Sequence, residues 1–554
     1  MTRRHDVVIV GGGPVGIALA VELGQRGVDC AVIERHREVG RIPKGQSLRH
    51  RTLEHFYFWH CVDELRAARL MPKDHPIAGL SAYGSLSSEY VRMMDRQQAT
   101  LGDAHIEDFY FQLNERLPQY RTEQVLRSRA AELPSVRLMF ENTARSVKQD
   151  HDHVVIGLSS EVWPYEDETL EGRYAVGCDG SRSLVRTELG IERHGTDLGE
   201  RMVLAVFSSP QLYERLAQFG PRSTYRVVNP TKNGAWQFFG VVEVGSTWFY
   251  HGPVQADTTI DDLPYIKAQM EEATGFPFDV EFQHVGFWDL RIDVADTYGQ
   301  GRVLIAGDAA HTHPPYGGHG LNNGLEDVTN LGWKLEAVIK GWGGPRLLQS
   351  YTEERQPVFW QTGEEVIADG VLGEREWIKR HDPQTDLSDF EAAWSELSVA
   401  RRHVDVEPHY EGSSIVVGGA AGTTPGIHSK HSFVARPGHH LAPQVLSSGR
   451  NAFEELGTGF TLLGFGADDG SVISVQQAAA GLSIPLKTIR DDLGGGRAKY
   501  EAKLVLVRPD QFVAWAGERL SDAAEAQFLL RTMTGHDRQP TDHRLLEALI
   551  RSPG

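Results

Sequence analysis

The chain has 554 residues, of which 40% are hydrophobic, 24% charged and 9% aromatic. One hydrophobic core stops growing at about 250–300 residues, so this length predicts several domains, and the composition excludes disordered and fibrous proteins. The 75 acidic side chains outnumber the 56 basic ones, which gives a formal net charge of -19. Such a charge repels polyphosphate and anionic lipid, so the sequence predicts no nucleic-acid partner and no membrane partner.

Cysteine occurs only at Cys30, Cys61 and Cys178, without paired spacing. This excludes a disulfide framework and a thiolate metal site. The first apolar run is broken by glycine and proline directly after residues 7–10, and no apolar stretch of about 18 residues follows. We therefore expect a soluble, cytoplasmic protein.

The N-terminus predicts a strand, a helix and a second strand. Residues 7–10 are an apolar β-branched run, and Gly11 to Gly16 break that run before apolar residues recur at helical spacing. Residues 30–34 form the next strand. This βαβ opening places a Gly-x-Gly-x-x-Gly sequence at the start of a helix, where free amides favour a pyrophosphate. Glu34 ends the second strand, at the usual sequence spacing after the glycine motif for an acid that binds a ribose hydroxyl. We expect a dinucleotide site there rather than a purely structural glycine turn.

Further along the chain, strands are predicted at residues 136–140, 154–158, 174–178 and 303–306. Residues 200–295 alternate aromatic and polar positions, which predicts an antiparallel sheet inserted into the first domain. An apolar helix face runs from Leu321 to Gly341, and residues 345–400 are helical and charged. The glycine-rich stretch 412–427 predicts a linker, because prolines prevent it from opening a helix as a second dinucleotide site would require. A last unit follows, with strands at 459–464 and 502–507.

Two more glycine-rich blocks occur at residues 177–186 and 301–322, and each contains the end of a predicted strand followed by a turn. Taken alone, the aspartate in each block is more often a turn or helix-cap residue than a binding residue. The helix that begins near Gly320 would point amides and about half a positive charge outward. Pro315 and Gly317 would keep the preceding backbone rigid and bare, so that a flat ring could approach it.

In this order and spacing, the three blocks resemble the flavoprotein aromatic hydroxylases of the para-hydroxybenzoate hydroxylase fold, from about residue 5 to 345. The resemblance implies that the first block holds the ADP half of non-covalent FAD, that Asp179 and Gly180 meet both FAD and NAD(P)H, and that Asp308 holds the ribityl chain. Gln119 would reach the flavin and Lys44 the FAD phosphates. The predicted cofactor-binding residues are Gly11, Gly13, Pro14, Gly16, Glu34, Arg35, Lys44, Gln119, Asp179, Gly180, Asp308, Pro315, Gly318, Gly320, Leu321 and Asn322.

Three further positions are predicted to act in catalysis. Pro315 and His319 flank the glycine turn, where His319 replaces a glutamine or lysine of the family, and Gln46 stands where phenol hydroxylases have an aspartate. Tyr225, Trp236 and Phe238 lie on aromatic-rich strands. Core packing is the default interpretation of such residues, and a substrate-binding role is the alternative that we carry forward.

The last unit contains Leu506 to Trp515, a sequence that resembles the thioredoxin-like C-terminal domain of the phenol hydroxylase branch. It has no cysteine, so a dithiol activity is excluded and a packing or dimerisation role is expected. We predict an α/β fold with a discontinuous FAD-binding Rossmann-like domain (1–190 and 290–345), an inserted antiparallel-sheet substrate domain (191–289 with part of 75–110), a helical segment and linker (346–427), and a thioredoxin-like domain (428–554).

No metal site is expected, because His311 with His313 and His439 with His440 lack a carboxylate or cysteine at helical ligand spacing. The resemblance implies a homodimeric monooxygenase that takes a hydride from NAD(P)H, forms a flavin C4a-hydroperoxide with O2, and hydroxylates a small phenolic ring ortho to an existing hydroxyl. The alternatives are a same-fold enzyme that epoxidises or tailors a non-phenolic or polyketide substrate, and a flavin-binding sensor without turnover.

Overall fold

The computed structural model describes residues 4–94, 104–160, 168–232, 236–400, 406–492, 494–520 and 522–536. Its α-helices are α1 (Pro14–Gln25), α2 (His50–Phe58), α3 (Val62–Ala67), α4 (Gln119–Ala131), α5 (Leu184–Glu188), α6 (Pro210–Leu216), α7 (Leu263–Thr274), α8 (His319–Lys340), α9 (Gln349–Gln361), α10 (Asp369–Arg380), α11 (Leu387–Ala400), α12 (Ala452–Glu455), α13 (Asp469–Gly481) and α14 (Ala523–Met533). A π-helical segment, Thr362–Ala368, joins α9 to α10.

The strands are β1 (Arg4–Val10), β2 (Cys30–Glu34), β3 (Ser47–Leu48), β4 (Gly79–Tyr83), β5 (Val91–Met94), β6 (Glu115–Arg116), β7 (Val136–Phe140), β8 (Asn142–Gln149), β9 (Val154–Ser160), β10 (Glu168–Gly177), β11 (Arg193–His194), β12 (Asp197–Ser208), β13 (Thr224–Val228), β14 (Trp236–Glu243), β15 (Thr247–Val254), β16 (Glu281–Arg291), β17 (Asp293–Ala295), β18 (Gly299–Gln300), β19 (Val303–Ile305), β20 (His311–Thr312), β21 (Phe460–Phe465), β22 (Leu486–Asp491), β23 (Leu504–Val507) and β24 (Val513–Gly517).

The first sheet has the order β18-β19-β10-β1-β2-β7, and the hairpin β8–β9 joins β10. The pairs β1–β2, β1–β10, β2–β7 and β10–β19 are parallel. Val7, Val8 and Ile9 are fully buried, as expected for a parallel strand that is covered on both faces. The predicted βαβ opening is confirmed, and so are the later strands of this sheet, whose ends shift by a few residues.

The second sheet has the order β16-β12-β15-β14-β13-β4-β5 and is antiparallel except between β13 and β4. This confirms the inserted antiparallel sheet, whose far edge is formed by β4 and β5. Helices α6 and α7 cover one face, where Leu212 and Ile266 join its core. The opposite face packs against Ile42 and so turns toward the first sheet's domain.

Helix α8 is the predicted long helix and lies against α1, where a Cβ on Gly332 would come within 2.3 Å of Glu22 Cγ. The chain between α8 and residue 400 is largely helical, as expected. Among the described residues, no helix is both long and apolar enough to cross a bilayer.

The last unit contains a four-stranded sheet of order β22-β21-β23-β24. Strands β21 and β22 are parallel and are connected by α13, whereas β23 and β24 pair antiparallel and lead into α14. This βαβ unit followed by a hairpin and a helix supports the thioredoxin-like prediction, which stays a prediction.

Residues 412–427, expected to be a linker, pack into the protein at residues 415–417 and 425–427, whereas residues 419–422 are exposed. Ile415 and Val417 are buried in a core that also contains Trp333 of α8 and Phe460 of β21. The backbone N–H of Val417 donates to the Ala514 carbonyl. These contacts make the segment a partly packed connection between the two units.

A buried ionic cluster joins the last unit to α8 and α9. Arg508 donates to both carboxylate oxygens of Glu354, at 2.6 and 2.9 Å, and also binds Asp510, while Lys334 Nζ lies 2.7 Å from Glu354. Burial lowers the pKa of Lys334 to about 8. Burial disfavours the Glu354 carboxylate, but Arg508 and Lys334 outweigh that effect and hold its pKa below the usual range.

Glu354→Ala should lower the free energy of unfolding by about 3–5 kcal/mol, because it leaves two cations buried without their shared partner. Thermal unfolding of the full chain measures the loss. The control is Glu376→Ala, whose carboxylate pairs with Lys379 at an exposed site, where a salt bridge contributes about 0–1 kcal/mol. Equal thermal midpoints for both variants would contradict the assigned role of the cluster.

Candidate functional site

The three glycine-rich blocks converge at the carboxyl ends of β1, β10 and β19. Gly11 has φ +102°, and a Cβ on it would lie 2.4 Å from the Cys178 carbonyl oxygen. A Cβ on Gly16 would lie 1.9 Å from the Gly11 oxygen, and one on Gly307 would lie 2.9 Å from Val15 Cγ2. Only glycine allows this close backbone packing.

The start of α1 offers unpaired amides to a ligand. Gly13 is the residue before the helix, no side chain caps it, and a Cβ placed there would meet no protein atom within 4 Å. Pro14 occupies the first helical position, which needs no amide donor. The N–H of Gly12 donates to Glu34 Oε2 at 2.8 Å. Space beside a helix N-terminus suits a phosphate group.

Glu34 also accepts from the His36 N–H at 2.8 Å, so its carboxylate is fixed at the end of β2 beside the loop. A carboxylate has about four lone-pair positions, and two of them are used by these backbone groups. Arg35 is exposed next to it, and only its sequence position supports a role.

Asp179 holds its own turn together. Its carboxylate accepts from Ser183 Oγ at 2.5 Å and from the Val185 N–H at 3.1 Å, at the start of α5. Gly180 follows with φ +82° and open space around its Cα. The turn touches Gly11, so the second block lies beside the first.

The Asp308 side chain is exposed, although many protein atoms surround its carboxyl. This crowding raises the pKa of its carboxyl, against the opposing fields of His311 and Lys44. Lys44 is itself exposed. The structure thus brings the predicted Lys44 within electrostatic range of Asp308.

The turn before α8 is shaped by two left-handed glycines, Gly317 at φ 64° and Gly318 at φ 67°. Pro315 precedes them and is exposed. No side chain caps α8, so its first amides, from His319 through Gly320 and Leu321, have no partner within the helix. A Cβ on Gly45 would lie 3.4 Å from both Gln119 Oε1 and Leu321 Cδ2, so these predicted residues adjoin one another.

Asn322 binds protein rather than offering its side chain to a ligand. Its amide donates to the carbonyls of Ser47 and Gly318, at 2.9 and 2.6 Å, and its oxygen accepts from the Arg49 N–H and Thr52 Oγ1. All four hydrogen-bonding positions are therefore used. The Asn322 side chain is therefore saturated by protein groups, and its cofactor-binding role stays a prediction.

His319 is buried beside Arg49, whose guanidinium donates to the Gly317 carbonyl and lies 3.1 Å from His319 Nε2. Because arginine can only donate, His319 Nε2 accepts. Burial and the Arg49 charge hold the pKa of His319 well below its usual value. His319 is thus a neutral partner of Arg49, and this arrangement does not support a role as a proton donor through Nε2.

Gln46 lies one residue before β3 and is buried. Its backbone oxygen accepts from the Leu117 N–H, whereas its side-chain Nε2 is buried without a hydrogen-bond partner. A buried donor of this kind is costly unless a ligand or water satisfies it. Gln46 is therefore suited to meet a bound molecule.

The three predicted substrate residues lie on opposite faces of the second sheet. Phe238 contacts Trp236 and Phe249 on the face toward Ile42. Tyr225 is paired in register with Phe239, and both belong to the core beneath α6 and α7. Side chains alternate along a strand, so Tyr225 points away from the first domain. Its substrate-binding role is not supported.

The aromatic wall, defined as Trp236, Phe238, Phe249, His251 and Trp288, forms a set of mostly edge-to-face contacts. His251 Nδ1 accepts from Trp288 Nε1 at 3.2 Å, and burial lowers the pKa of His251 to about 3. The wall is therefore uncharged at neutral pH.

A buried network of charged side chains beneath the third block was not predicted from the sequence. Asp327 on α8 accepts from the Gly307 N–H at 3.0 Å, lies 2.6 Å from His311 Nε2, and binds Arg355 at 2.9 Å. All three side chains are almost fully buried. An acidic residue inside an apolar helix was the only signal in the sequence.

Comparison with known proteins gives two family matches. Residues 4–366 match the family described as FAD binding domain, and residues 435–536 match the family described as aromatic-ring hydroxylase, C-terminal. The chain is 29% identical to the 4-methyl-5-nitrocatechol 5-monooxygenase of Burkholderia sp, over 94% of this chain and 95% of that protein.

It is also 33% identical to the 12-dehydrotetracycline 5-monooxygenase/anhydrotetracycline 6-monooxygenase of Streptomyces rimosus, over 64% of this chain and 67% of that protein. Among solved structures, the rebeccamycin biosynthetic enzyme RebC with reduced flavin has a TM-score of 0.81 and 28% identity, covering 96% of this chain and 99% of that chain.

Asn322→Ala should loosen the segment that contains Gln46, because the Arg49 N–H and two backbone carbonyls lose their partner. We expect a loss of about 1–3 kcal/mol in unfolding free energy and faster amide hydrogen exchange across residues 47–53. Asn142→Ala is the control, since Asn142 makes one local bond to the Phe140 carbonyl. Unchanged hydrogen exchange in the Asn322 variant would contradict the role of Asn322 in holding residues 47–53.

Proposed function

Because the chain belongs to the FAD-dependent aromatic-ring monooxygenases, we propose that it hydroxylates a phenolic substrate ortho to an existing hydroxyl, with NAD(P)H as hydride donor and O2 as oxygen source. The observation that carries the proposal is the convergence of the three glycine-rich blocks at adjoining strand ends, with the aromatic wall on the sheet that faces this domain. A homodimeric state stays a prediction.

The residues fit FAD on chemical grounds. The loop of residues 11–16 leaves bare amides and open space at Gly13 for the pyrophosphate, and Glu34 has lone pairs left for a ribose hydroxyl. Asp308 would accept from the ribityl chain, and Lys44 adds a positive charge near the phosphates. The Asp179 turn would touch the cofactor through its backbone, since its carboxylate is engaged.

The flavin end would lie at the start of α8. Bound FAD supplies the oxygen-transfer chemistry once NAD(P)H has reduced it. The uncapped amides of α8 would stabilise negative charge at the ring edge. Arg49 holds the Gly317 turn by donating to its carbonyl. Burial lowers the pKa of the Arg49 guanidinium only to about 10, so this side chain stays positively charged beside the turn.

The substrate ring would pack against the aromatic wall, whose edge-to-face geometry favours another aromatic partner. Since His251 is neutral and hydrogen-bonded, the wall positions the ring and excludes water without exchanging a proton. The unsatisfied Gln46 Nε2 would donate to a polar group of the ligand, such as a phenolate oxygen. Electron donation from that oxygen makes the ortho carbon nucleophilic.

A second candidate is a same-fold monooxygenase that epoxidises or tailors a non-phenolic or polyketide-type substrate. The relatives named for tetracycline and tetracenomycin activities favour it. It shares every cofactor contact above and differs only in what the aromatic wall holds.

Glu34→Ala should weaken FAD binding by about 1.5–3 kcal/mol, the range for a hydrogen bond to a charged group, and Asp308→Ala should lose the flavin. Flavin released per chain, measured by absorbance after desalting, tests both. Glu38→Ala, an exposed neighbour, is the control. Full flavin content in both site variants would refute the assigned site.

The reaction is tested by ¹⁸O2 and mass spectrometry with a panel of phenols. NAD(P)H oxidation should be slow alone and should rise more than about tenfold with the right phenol, because reduction gated by substrate prevents wasted hydride. The product should carry one labelled oxygen ortho to the original hydroxyl. If phenols stimulate NAD(P)H consumption but yield only hydrogen peroxide, the second candidate replaces the first.

A further inference from the structure

A cluster of metal-ligating side chains lies outside the flavin site, where residues 406–413 meet the start of the last unit. His409, Glu411 and His439 place one nitrogen or oxygen atom each within 4.8 Å of one another. Both histidines are buried and Glu411 is half-buried. The backbone connects the two segments at this point, because the Tyr410 N–H donates to the Gly438 carbonyl.

His439 stands between two carboxylates. Its Nδ1 lies 3.2 Å from Glu407 and its Nε2 lies 3.3 Å from Glu411. If Nδ1 carries the proton that Glu407 accepts, Nε2 presents a lone pair to a second negatively charged group. A positive charge at that position, either a proton on Nε2 or a metal ion, makes the contact favourable. A histidine whose other nitrogen donates to a carboxylate is the usual arrangement of a metal ligand.

The spacing matches a tetrahedral ion. Zinc binds imidazole nitrogen and carboxylate oxygen at about 2.0–2.2 Å, so two of its ligand atoms lie about 3.4 Å apart. The 3.3 Å between His439 Nε2 and Glu411 Oε2 fits that value.

His409 supplies the third ligand. Its ring stacks on that of His439 with centroids 5.1 Å apart, and its Nδ1 is buried without a hydrogen-bond partner. The carboxylates also favour a cation. Glu407 is paired with Arg436 at 2.8 Å, whereas Glu411 accepts from the Ala420 N–H and lies beside His439.

We propose that His409, Glu411 and His439 bind one divalent transition-metal ion of the zinc type, with Glu407 orienting His439 from behind. Imidazole and carboxylate ligands suit such ions, and the exposed side of Glu411 leaves room for water as a fourth ligand. The ion pins the chain around residue 409 to the first turn of the last unit.

The cluster could not be found by spacing in the sequence. The prediction of no metal site rested on His439 and its neighbour His440. The other two proposed ligands, Glu411 and His409, lie 28 and 30 positions before His439. A second group, Glu192, His194 and Asp296, has one histidine and two carboxylates, and all three are exposed. It serves as an internal control.

The test uses the full-length, FAD-containing protein, stripped of metal with a chelator and then given Zn²⁺ or Co²⁺. We expect about one Zn²⁺ per chain after desalting, measured by elemental mass spectrometry, and a rise in thermal midpoint that EDTA reverses. Bound Co²⁺ should show tetrahedral absorption bands at longer wavelengths than the flavin. Absence of stoichiometric uptake overturns the proposal and assigns the cation to a proton on His439.

Variants locate the ion. Glu411→Gln and His409→Ala should each abolish stoichiometric binding, and Glu407→Gln should weaken it by about 10–100-fold. His194→Ala should retain one Zn²⁺ per chain. FAD content reports folding, and Glu411→Gln preserves shape should His409→Ala misfold. Uptake that persists in Glu411→Gln, or that is lost in His194→Ala, overturns the assignment.

Discussion

The contact between two backbones, at Gly11 and Cys178, is the constraint on which the site depends. A single added carbon on Gly11 would sit 2.4 Å from the Cys178 carbonyl oxygen. This approach brings β1 and β10 together at the crevice, sets the Asp179 turn beside the first loop, and leaves the amides of α1 bare. The third block reaches the same point because Gly307 and Gly324 both fit around Val15.

Helix α8 connects this region to the rest of the molecule. Its first turn offers uncapped amides, and Asn322 holds the segment that carries Gln46. One turn later, Asp327 secures the third block through Gly307 and His311. Further along, Trp333 and Lys334 belong to the joint with the last unit. One helix thus contacts the crevice at one end and the C-terminal sheet at the other.

Most of the fold could be predicted from the sequence, because buried parallel strands and a long apolar helix face leave clear periodic patterns. The glycine-rich blocks likewise predicted tight turns at strand ends, and the close approaches at Gly11 and Gly16 show why glycine is needed there. Tyr225 shows the limit: aromatic composition marks a strand, but its face depends on register, which places Tyr225 beside Phe239.

The roles of Asn322, Arg49 and Asp327 could not be predicted either, because their partners are distant in sequence. The hydrogen bond from Asn322 to Ser47 spans 275 positions. The packed residues 412–427 have the composition of a linker, and only their contacts with Trp333 and β21 reveal otherwise. Local patterns report the conformation of a segment, whereas such roles depend on what the folded chain brings beside it.

The joint between Glu354 and Arg508 has a consequence for synthesis on the ribosome. The two residues are 154 positions apart, so at about 5–20 residues per second the cation emerges roughly 8–30 s after the carboxylate. During that interval Glu354 has Lys334 and Asn330 as its partners, and the edge of Trp333 that later contacts Phe460 is uncovered. The nascent N-terminal part therefore passes through a state whose exposed apolar helix face a chaperone would recognise, until translation delivers the unit that covers it.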